Sequence, residues 1–174
     1  VNYGSLNVLD GGKLILVQNA AEGASAGYVD TLRVESGGSL LYELTPDSTP
    51  GNYAHINANS VSLDGHLVAV FNPALYGDLT VYDDVISTND LIAGQFAEVV
   101  DNSLLLETEA RYDGNSVDLV VHRTPFNKVE GLTKNQRAVG GGIEKVYPRI
   151  DADTDFGHLV VNMLMLDGKV DYQD

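Results

Sequence analysis

The segment "SLNVLDGGKL", Ser5 to Leu14, recurs as "TLRVESGGSL", Thr31 to Leu40, about 26 residues further on. A shortened third copy, "SVSLDGHL", covers Ser60 to Leu67. In each copy apolar residues alternate, an acidic residue or serine and one or two glycines follow, and the alternation then resumes. This pattern predicts two strands joined by a tight turn, in which glycine provides the backbone conformation of the corner.

Repetition at this interval, with no helix between the copies, predicts a parallel β-solenoid. Each coil of a solenoid has an apolar face that it cannot bury alone, so successive coils stack on one another. A β-sandwich remains the alternative, because hairpins also use Asp-Gly turns, although hairpins do not require repetition at a fixed interval. The residues expected to point into the solenoid are Leu6, Val8, Leu14, Leu16, Leu32, Val34, Leu40, Val61, Leu63, Leu67 and Val70.

Loops and a cap are expected around these coils. The segments "AAEGASAG" (20–27) and "TPDSTPGN" (45–52) carry glycine and proline, so we expect them to bulge from the corners. Closely spaced strands with less regular repetition follow, and Leu104 to Leu119 predicts a β-hairpin that turns at "YDGN". A hairpin there would close the end of the solenoid, which otherwise exposes a sheet edge and the end of the core.

Helical patterns begin only after Phe126. Thr133 is a candidate N-cap for a helix that ends before Pro148, but the glycines at 140–142 weaken it by about 1 kcal/mol each unless the helix packs on something. A second helix is predicted with Asp153 or Thr154 as its cap and Gly168 just past its end. Its apolar stripe consists of Phe156, Leu159, Val160, Met163 and Leu164.

Together these patterns predict an all-β fold, a right-handed parallel β-helix with a C-terminal β-hairpin cap, followed by a short α-helical linker. We place the rungs at residues 1–76, the cap at 77–126 and the linker at 127–174. The first residues look like the middle of a pattern, so we expect a piece of a longer protein.

Composition excludes several function classes. The chain has 10 Lys and Arg against 25 Asp and Glu, for a formal charge of −15, which argues against a nucleic-acid partner because phosphates are bound by cations. The absence of cysteine removes disulfides, thiolate nucleophiles and cysteine-based zinc sites. We expect the acids, which are scattered, to form a solvated surface.

No motif predicts a catalytic, cofactor-binding or metal site. His55, His66, His122 and His158 show no metal-ligand spacing, and neither a nucleophile elbow nor a phosphate loop is present. The segment "DADTDFG" (151–157) is the nearest to a calcium loop, but its glycine comes one place late. We therefore expect ordinary turns or a helix cap there, and a protein that is not an enzyme and has no cofactor.

A polysaccharide-binding or polysaccharide-cleaving β-helix is the alternative function. Such a site would pair Glu35 or Asp64 with Arg33 or His66, about one coil apart, because paired carboxylates act as acid and base or hold a metal. Aromatic platforms for a glycan are poorly aligned, since there is no Trp and Tyr3, Tyr28 and Tyr42 fall at different places in the repeats.

Three segments resemble a known family when they are taken in order. They are "YDDVISTNDLIAGQFAEVV", "LLLETEARYDGNSVDLVVHRTPF" and "GLTKNQRAV", which lie between Tyr82 and Val139. In order and spacing they resemble the C-terminal end of the passenger in type V autotransporters of Gram-negative bacteria. The family's helix is usually rich in alanine after this point, whereas here it continues into Gly140, Gly141 and Gly142.

The resemblance implies a non-enzymatic structural stem with an autochaperone segment that promotes folding and secretion, in a parent that is an adhesin or virulence factor. It also implies a cell-surface or secreted location, reached through the periplasm and outer membrane. The implied partners are upstream β-helix rungs, a downstream membrane β-barrel, the outer-membrane assembly machinery and surface ligands of the parent. The residues that would build the folding cap are Tyr82, Val85, Ile86, Phe96, Leu104, Leu105, Leu106, Tyr112, Gly114, Val117, Leu119 and Phe126.

Overall fold

The structure is a computed structural model that describes residues 3–17 and 26–166. Most of the predicted loop at 20–27, the side chain of Tyr3 and the predicted helix-ending Gly168 lie outside the described part. The described strands are β1 (Tyr3–Val8), β2 (Lys13–Leu16), β3 (Ala26–Val34), β4 (Ser39–Leu44), β5 (His55–Leu63), β6 (His66–Phe71), β7 (Leu79–Thr88), β8 (Ala93–Gly94), β9 (Glu98–Asp101), β10 (Leu106–Tyr112) and β11 (Ser116–Arg123).

The strands form two sheets that face each other across the core. One sheet has the order β1-β3-β5-β7-β11-β10, with β8 beside β5, and the other has the order β2-β4-β6-β9. All pairs in the second sheet, and those from β1 to β7 in the first, are parallel. The chain is therefore a β-solenoid of about three coils, as predicted, and not a sandwich of hairpins.

The sequence repeats lie in register in the stacked coils. Leu6 pairs with Leu32, which pairs with Val61, and on the second sheet Leu14, Leu40 and Leu67 follow one another in the same way. Equivalent apolar residues therefore stack along the solenoid, which is how one coil buries the face of the next.

Most predicted inward residues are buried, with one error. Val8, Leu32, Val34, Leu40, Val61, Leu63 and Leu67 are buried, and Leu6, Leu14 and Leu16 are partly buried in the first coil. Val70 was predicted to be inward, but Ala69 and Phe71 point into the core instead. Alternation from Leu67 places positions 69 and 71 on the inner face, and Val70 lies beside Glu43 on the outer face.

At the third corner, successive coils approach so closely that position 65 must be glycine. A Cβ on Gly65 would lie 2.2 Å from the carbonyl oxygen of Gly38 and 2.4 Å from that of Glu35. The corners are joined by main-chain bonds, in which Asp64 N–H donates to Val34 O at 3.0 Å and His66 N–H donates to Gly38 O at 2.8 Å. Any side chain at position 65 would separate these corners.

Both predicted helices are present, and a 3₁₀ turn, Tyr147–Arg149, and a further turn at residues 150–154 lie between them. Helix α1 (Lys134–Val146) starts at a capping box made by Thr133 and Gln136, and it continues through all three glycines. Helix α2 (Asp155–Leu164) has Thr154 as its N-cap.

The predicted apolar stripe of α2 is partly wrong. Phe156 and Leu159 are 43% and 54% exposed, and Val161 is buried beside Val160 and Leu164. A Cβ on Gly157 would lie only 2.0 Å from the carbonyl oxygen of Asp151, so the Gly157 side of the helix approaches the preceding turn. That contact directs positions 160, 161 and 164 towards the core.

Candidate functional site: the cap of the solenoid

Strand β7 connects the parallel coils to an antiparallel end. It pairs in parallel with β5 between Ile56 and Ile86, Asn57 and Ser87, and Ala58 and Thr88. On its other side β7 pairs with β11 in the antiparallel direction, and β11 pairs with β10 to form the predicted hairpin. The C-terminal end of the solenoid is thus closed by a hairpin and not by another coil.

Strand β7 has a backbone irregularity at Asp84, where it faces the antiparallel strand β11. The backbone of Asp84 has a φ of 53°, in the left-handed region that residues other than glycine rarely adopt. The N–H of Asp84 donates to the Asp118 carboxylate at 2.8 Å. The register between β7 and β11 shifts opposite this point, between Val117 and Leu119. Asp118 therefore stabilises the bulge in the pairing of β7 with β11.

Buried tyrosines satisfy the carbonyl groups on both sides of this bulge. The hydroxyl of Tyr42 donates to Val85 O at 2.9 Å and that of Tyr53 donates to Asp83 O at 2.7 Å. Burial raises the pKa of Tyr42 and, together with nearby aspartates, that of Tyr53. The hydroxyls therefore remain protonated donors at neutral pH. Sequence reasoning considered Tyr42 only as a poorly aligned platform for a glycan and missed this structural role.

The hairpin turns where the sequence predicted. Gly114 has a φ of 69°, and Asp113 N–H donates to Ser116 O at 3.0 Å across the turn. Tyr112 is partly buried, and its hydroxyl accepts from Phe96 N–H at 2.9 Å. Burial raises the pKa of this hydroxyl. This bond ties the hairpin to the segment that leads into β9.

The predicted cap residues lie together at the end of the solenoid, and Leu104 differs from the rest because its side chain is exposed. Leu104 is 55% exposed, and its contribution is its N–H, which donates to Leu166 O at 2.8 Å just beyond α2. Gly114 forms the turn and Tyr112 is partly buried, as described above. The remaining residues are buried in the same core as the coils, and they are Tyr82, Val85, Ile86, Phe96, Leu105, Leu106, Val117, Leu119 and Phe126.

A polar corner before β10 links the cap to α2. Ser103 Oγ accepts from the N–H groups of Leu105 and Leu106 at 3.1 and 3.0 Å and donates to Leu164 O at 2.7 Å. The carboxylate of Asp101 accepts from Thr108 N–H at 3.1 Å, and burial raises the pKa of Asp101 despite its hydrogen bonds. Sequence reasoning missed this corner because "VDNS" looks like an ordinary turn.

Arg123, at the end of β11, is the most deeply buried charge of the cap. Its side chain is 2% exposed, and its Nη1 and Nη2 donate to Glu144 Oε1 and Oε2 of α1 at 2.8 and 3.0 Å. It also donates to Asp78 and stacks on Tyr147, whose ring centre is 3.9 Å from Cζ. The alternating pattern of "LVVHR" places position 123 on the inner face, but nothing in the sequence indicates a partner 21 residues away.

The electrostatics of this cluster are set by burial and pairing together. Burial lowers the pKa of Arg123, but its hydrogen bonds with Glu144 and Asp78 outweigh this and raise the pKa above the ordinary value. Burial raises the pKa of Glu144, and the bonds from Arg123 and Phe126 N–H outweigh it, so the pKa lies below the ordinary value. Both groups are therefore charged at neutral pH.

Two concave surfaces adjoin the docked helix. A cleft of about 450 Å³ lies beside Arg123 and is bordered by Tyr76, Asp78 and Tyr147. An apolar groove of about 380 Å³ lies between α1 and α2, where Val139 and Met163 form part of its wall. Asp78 and Glu144 already compensate the charge of Arg123, so the first cleft offers no free cation for a ligand.

The residues of the alternative polysaccharide site lie at neighbouring corners of the coils and form two separate ion pairs. Arg33 Nε lies 3.5 Å from Glu35 Oε1, whereas His66 Nδ1 lies 3.4 Å from Glu98 Oε2 on the other sheet. Asp64 is exposed at a corner, and its backbone, not its carboxylate, makes the contact to Val34.

The candidate calcium and histidine sites have ordinary surroundings. The Asp151 carboxylate accepts from Asp153 N–H at 3.0 Å in the turn that leads to α2. His122 Nε2 lies 3.9 Å from Glu109 Oε2 on the hairpin surface. Within residues 3–17 and 26–166, no group of three or more His, Cys, Asp or Glu side chains is placed to hold a metal ion.

Comparison with known proteins returned no match. Neither a protein-family model nor a curated protein nor a solved structure matches this chain. In the part of the chain that the structure describes, no helix is long and apolar enough to cross a membrane.

Proposed function

We propose that this chain is a structural stem and folding segment of an autotransporter passenger, displayed on the surface of a Gram-negative bacterium. Residues 77–126 act as the autochaperone, and the parent is an adhesin or virulence factor. The sequence resemblance between Tyr82 and Val139 supports this proposal. The structural observation that carries it is the difference between the two ends of the solenoid.

The first coil has an open end. Among the described residues, β1 and β2 are the outermost strands at this end, and Leu6, Leu14 and Leu16 on their inner faces are only partly buried. A further coil stacked on these strands would complete the burial of these three leucines. The described N-terminal end therefore suits an upstream part of the same β-helix.

The opposite end is closed. Leu106 and Leu119 of the hairpin are 1% and 0% exposed, and Ser103 joins the hairpin to α2. A solenoid is stabilised mainly by contacts between neighbouring coils, so a closed end can fold first and act as a template for the next coil. Folding then proceeds along the passenger without an external energy source.

The test is surface display of the full-length parent protein. Leu119→Asp or Leu105→Asp places a charge in the buried cap and is expected to abolish display of the passenger while the membrane domain still inserts. Leu104→Asp is the matched control, because this neighbouring leucine is 55% exposed and its variant is expected to be displayed normally. Normal display of the two core variants would overturn the proposal.

A further inference from the structure

Residues 127–174 are predicted to be a linker, and the contacts of α1 within this segment point to a further role. We propose that α1 is a latch for the cap: it folds against the finished hairpin and provides the carboxylate that buried Arg123 requires. The latch is a property of the chain itself, and only its consequence during secretion rests on the proposed function.

Arg123 depends on Glu144 more than on Asp78. The Asp78 side chain is 81% exposed, so water screens its charge, whereas the Glu144 side chain is 20% exposed and binds both terminal nitrogens of Arg123. Removing such a partner from a buried guanidinium strongly destabilises the folded state. Glu144 also accepts from Phe126 N–H at 2.7 Å, so the cap and α1 share one polar cluster.

Helix α1 is poorly suited to stand alone. It has 13 residues, no acidic residue in its first turn and three consecutive glycines, which all weaken an isolated helix. Gly140 is required for docking, because a Cβ there would lie 2.7 Å from the backbone carbon and oxygen of Phe126. Glycine at position 140 therefore lowers helix propensity but allows the helix to approach Phe126.

The helix and the residue that ends it contact both ends of the cap. Arg123 ends β11 and Phe126 lies just beyond it, whereas Tyr76 precedes β7 and accepts at its carbonyl from the hydroxyl of Tyr147 at 2.7 Å. The rings of Phe126 and Tyr147 lie 6.0 Å apart, which adds an apolar contact. Docking of α1 thus holds the beginning and the end of the cap together in one step.

This arrangement makes closure of the cap conditional. While residues 127–147 are held elsewhere, for example inside a pore, the exposed Asp78 is the carboxylate left to pair with Arg123, and the hairpin is less stable. When the segment is released on the same side as the hairpin, α1 forms and the cap closes. The coils upstream then stack on a finished end.

Hydrogen exchange on the purified 174-residue chain tests the latch. Glu144→Gln removes the charge, and Gly140→Ala blocks the approach to Phe126. Both are expected to lower the protection of amides in β10 and β11 by about tenfold or more. Gly142→Ala is the matched control, because a Cβ there meets nothing within 4 Å, and the hairpin should keep its protection. If exchange increases only within α1 while β10 and β11 are unchanged, the latch is wrong.

A double variant separates the latch from general damage to the fold. Arg123→Met with Glu144→Leu removes the buried charge together with its partner, so hairpin protection is expected to return towards that of the unchanged chain. Protection as low as in Glu144→Gln would overturn the proposal. These measurements need no secretion, whereas display of Leu119→Asp tests the proposed function, so either can fail without the other.

Discussion

Arg123 and Glu144 lie 21 residues apart in the chain, yet their side chains meet in two parallel hydrogen bonds of 2.8 and 3.0 Å. One belongs to the last strand of the solenoid end and the other to the helix that follows. This ion pair is the main polar link between the β and α parts of the molecule, and it sits under the ring of Tyr147. Its behaviour leads directly to two predictions.

Glu144→Leu should lower the free energy of unfolding by about 3 kcal/mol, because it leaves the buried Arg123 without its carboxylate. Asp78→Asn is the control, since its exposed ion pair with the same arginine contributes less than about 1 kcal/mol. Urea unfolding followed by circular dichroism measures both. Equal effects of the two variants would show that Glu144 is not the dominant partner.

Acid should weaken the same link. The pKa of Glu144 lies below its ordinary value of 4.5, so on acidification the unfolded chain takes up the proton first. The stabilisation is complete above that value and is lost as the pH falls through the lower pKa of the folded state. Stability measured between neutral pH and pH 3, roughly, should fall less steeply in Glu144→Gln than in the unchanged chain. An identical pH dependence would contradict the assignment.

Alkali should unfold the chain together with ionisation of its buried tyrosines. Burial raises the pKa of Tyr42, Tyr76 and Tyr82, and it raises that of Tyr147 to about 12. Because the folded pKa lies above the unfolded value of 10.0, the stabilisation is present below that pH and is lost as the pH rises through the folded pKa. Tyrosinate absorbance and circular dichroism should therefore change together. Complete ionisation with an intact β spectrum would refute this prediction.

The cap core should tolerate loss of Leu104 but not of Leu119. Leu119→Ala removes a fully buried side chain and should cost about 2–5 kcal/mol, whereas Leu104→Ala, at 55% exposure, should change stability by about 0.5 kcal/mol or less. The measurement is the midpoint of thermal or urea unfolding. A large loss in Leu104→Ala would mean that its side chain has an apolar contact which the structure does not show.

The stacked corner should reject a methyl group. Gly65→Ala places a Cβ 2.2 Å from Gly38 O, so the corners must separate and their main-chain bonds weaken, with an expected loss of about 2 kcal/mol or more. Gly4→Ala is the control, since a Cβ there meets nothing within 4 Å. Thermal melting of the two variants decides the point, and equal melting temperatures would disprove the close approach.

Local sequence patterns predicted much of the fold correctly. The repeats around Gly11, Gly37 and Gly65 predicted stacked coils, and the "YDGN" turn predicted the hairpin at Gly114. Thr133 marked the start of the first helix, and Thr154 was one of two caps offered for the second. The errors have two local causes. Val70 was assigned to the inner face against the alternation that Leu67, Ala69 and Phe71 follow, and Phe156 and Leu159 lie outside the face of α2 that packs.

The sequence by itself determined the period of the coils, the positions of the turns and the starts of the helices, because these depend on residues close together in the chain. Only the tertiary structure decided that Tyr42 bonds to Val85, that Asp118 supports the bulge at Asp84, and that Glu144 neutralises Arg123. A local pattern shows which face of a strand is inward, but not which distant group meets it there. A buried polar atom needs a partner wherever the fold brings one, and that choice depends on how the coils, the hairpin and the helix pack together.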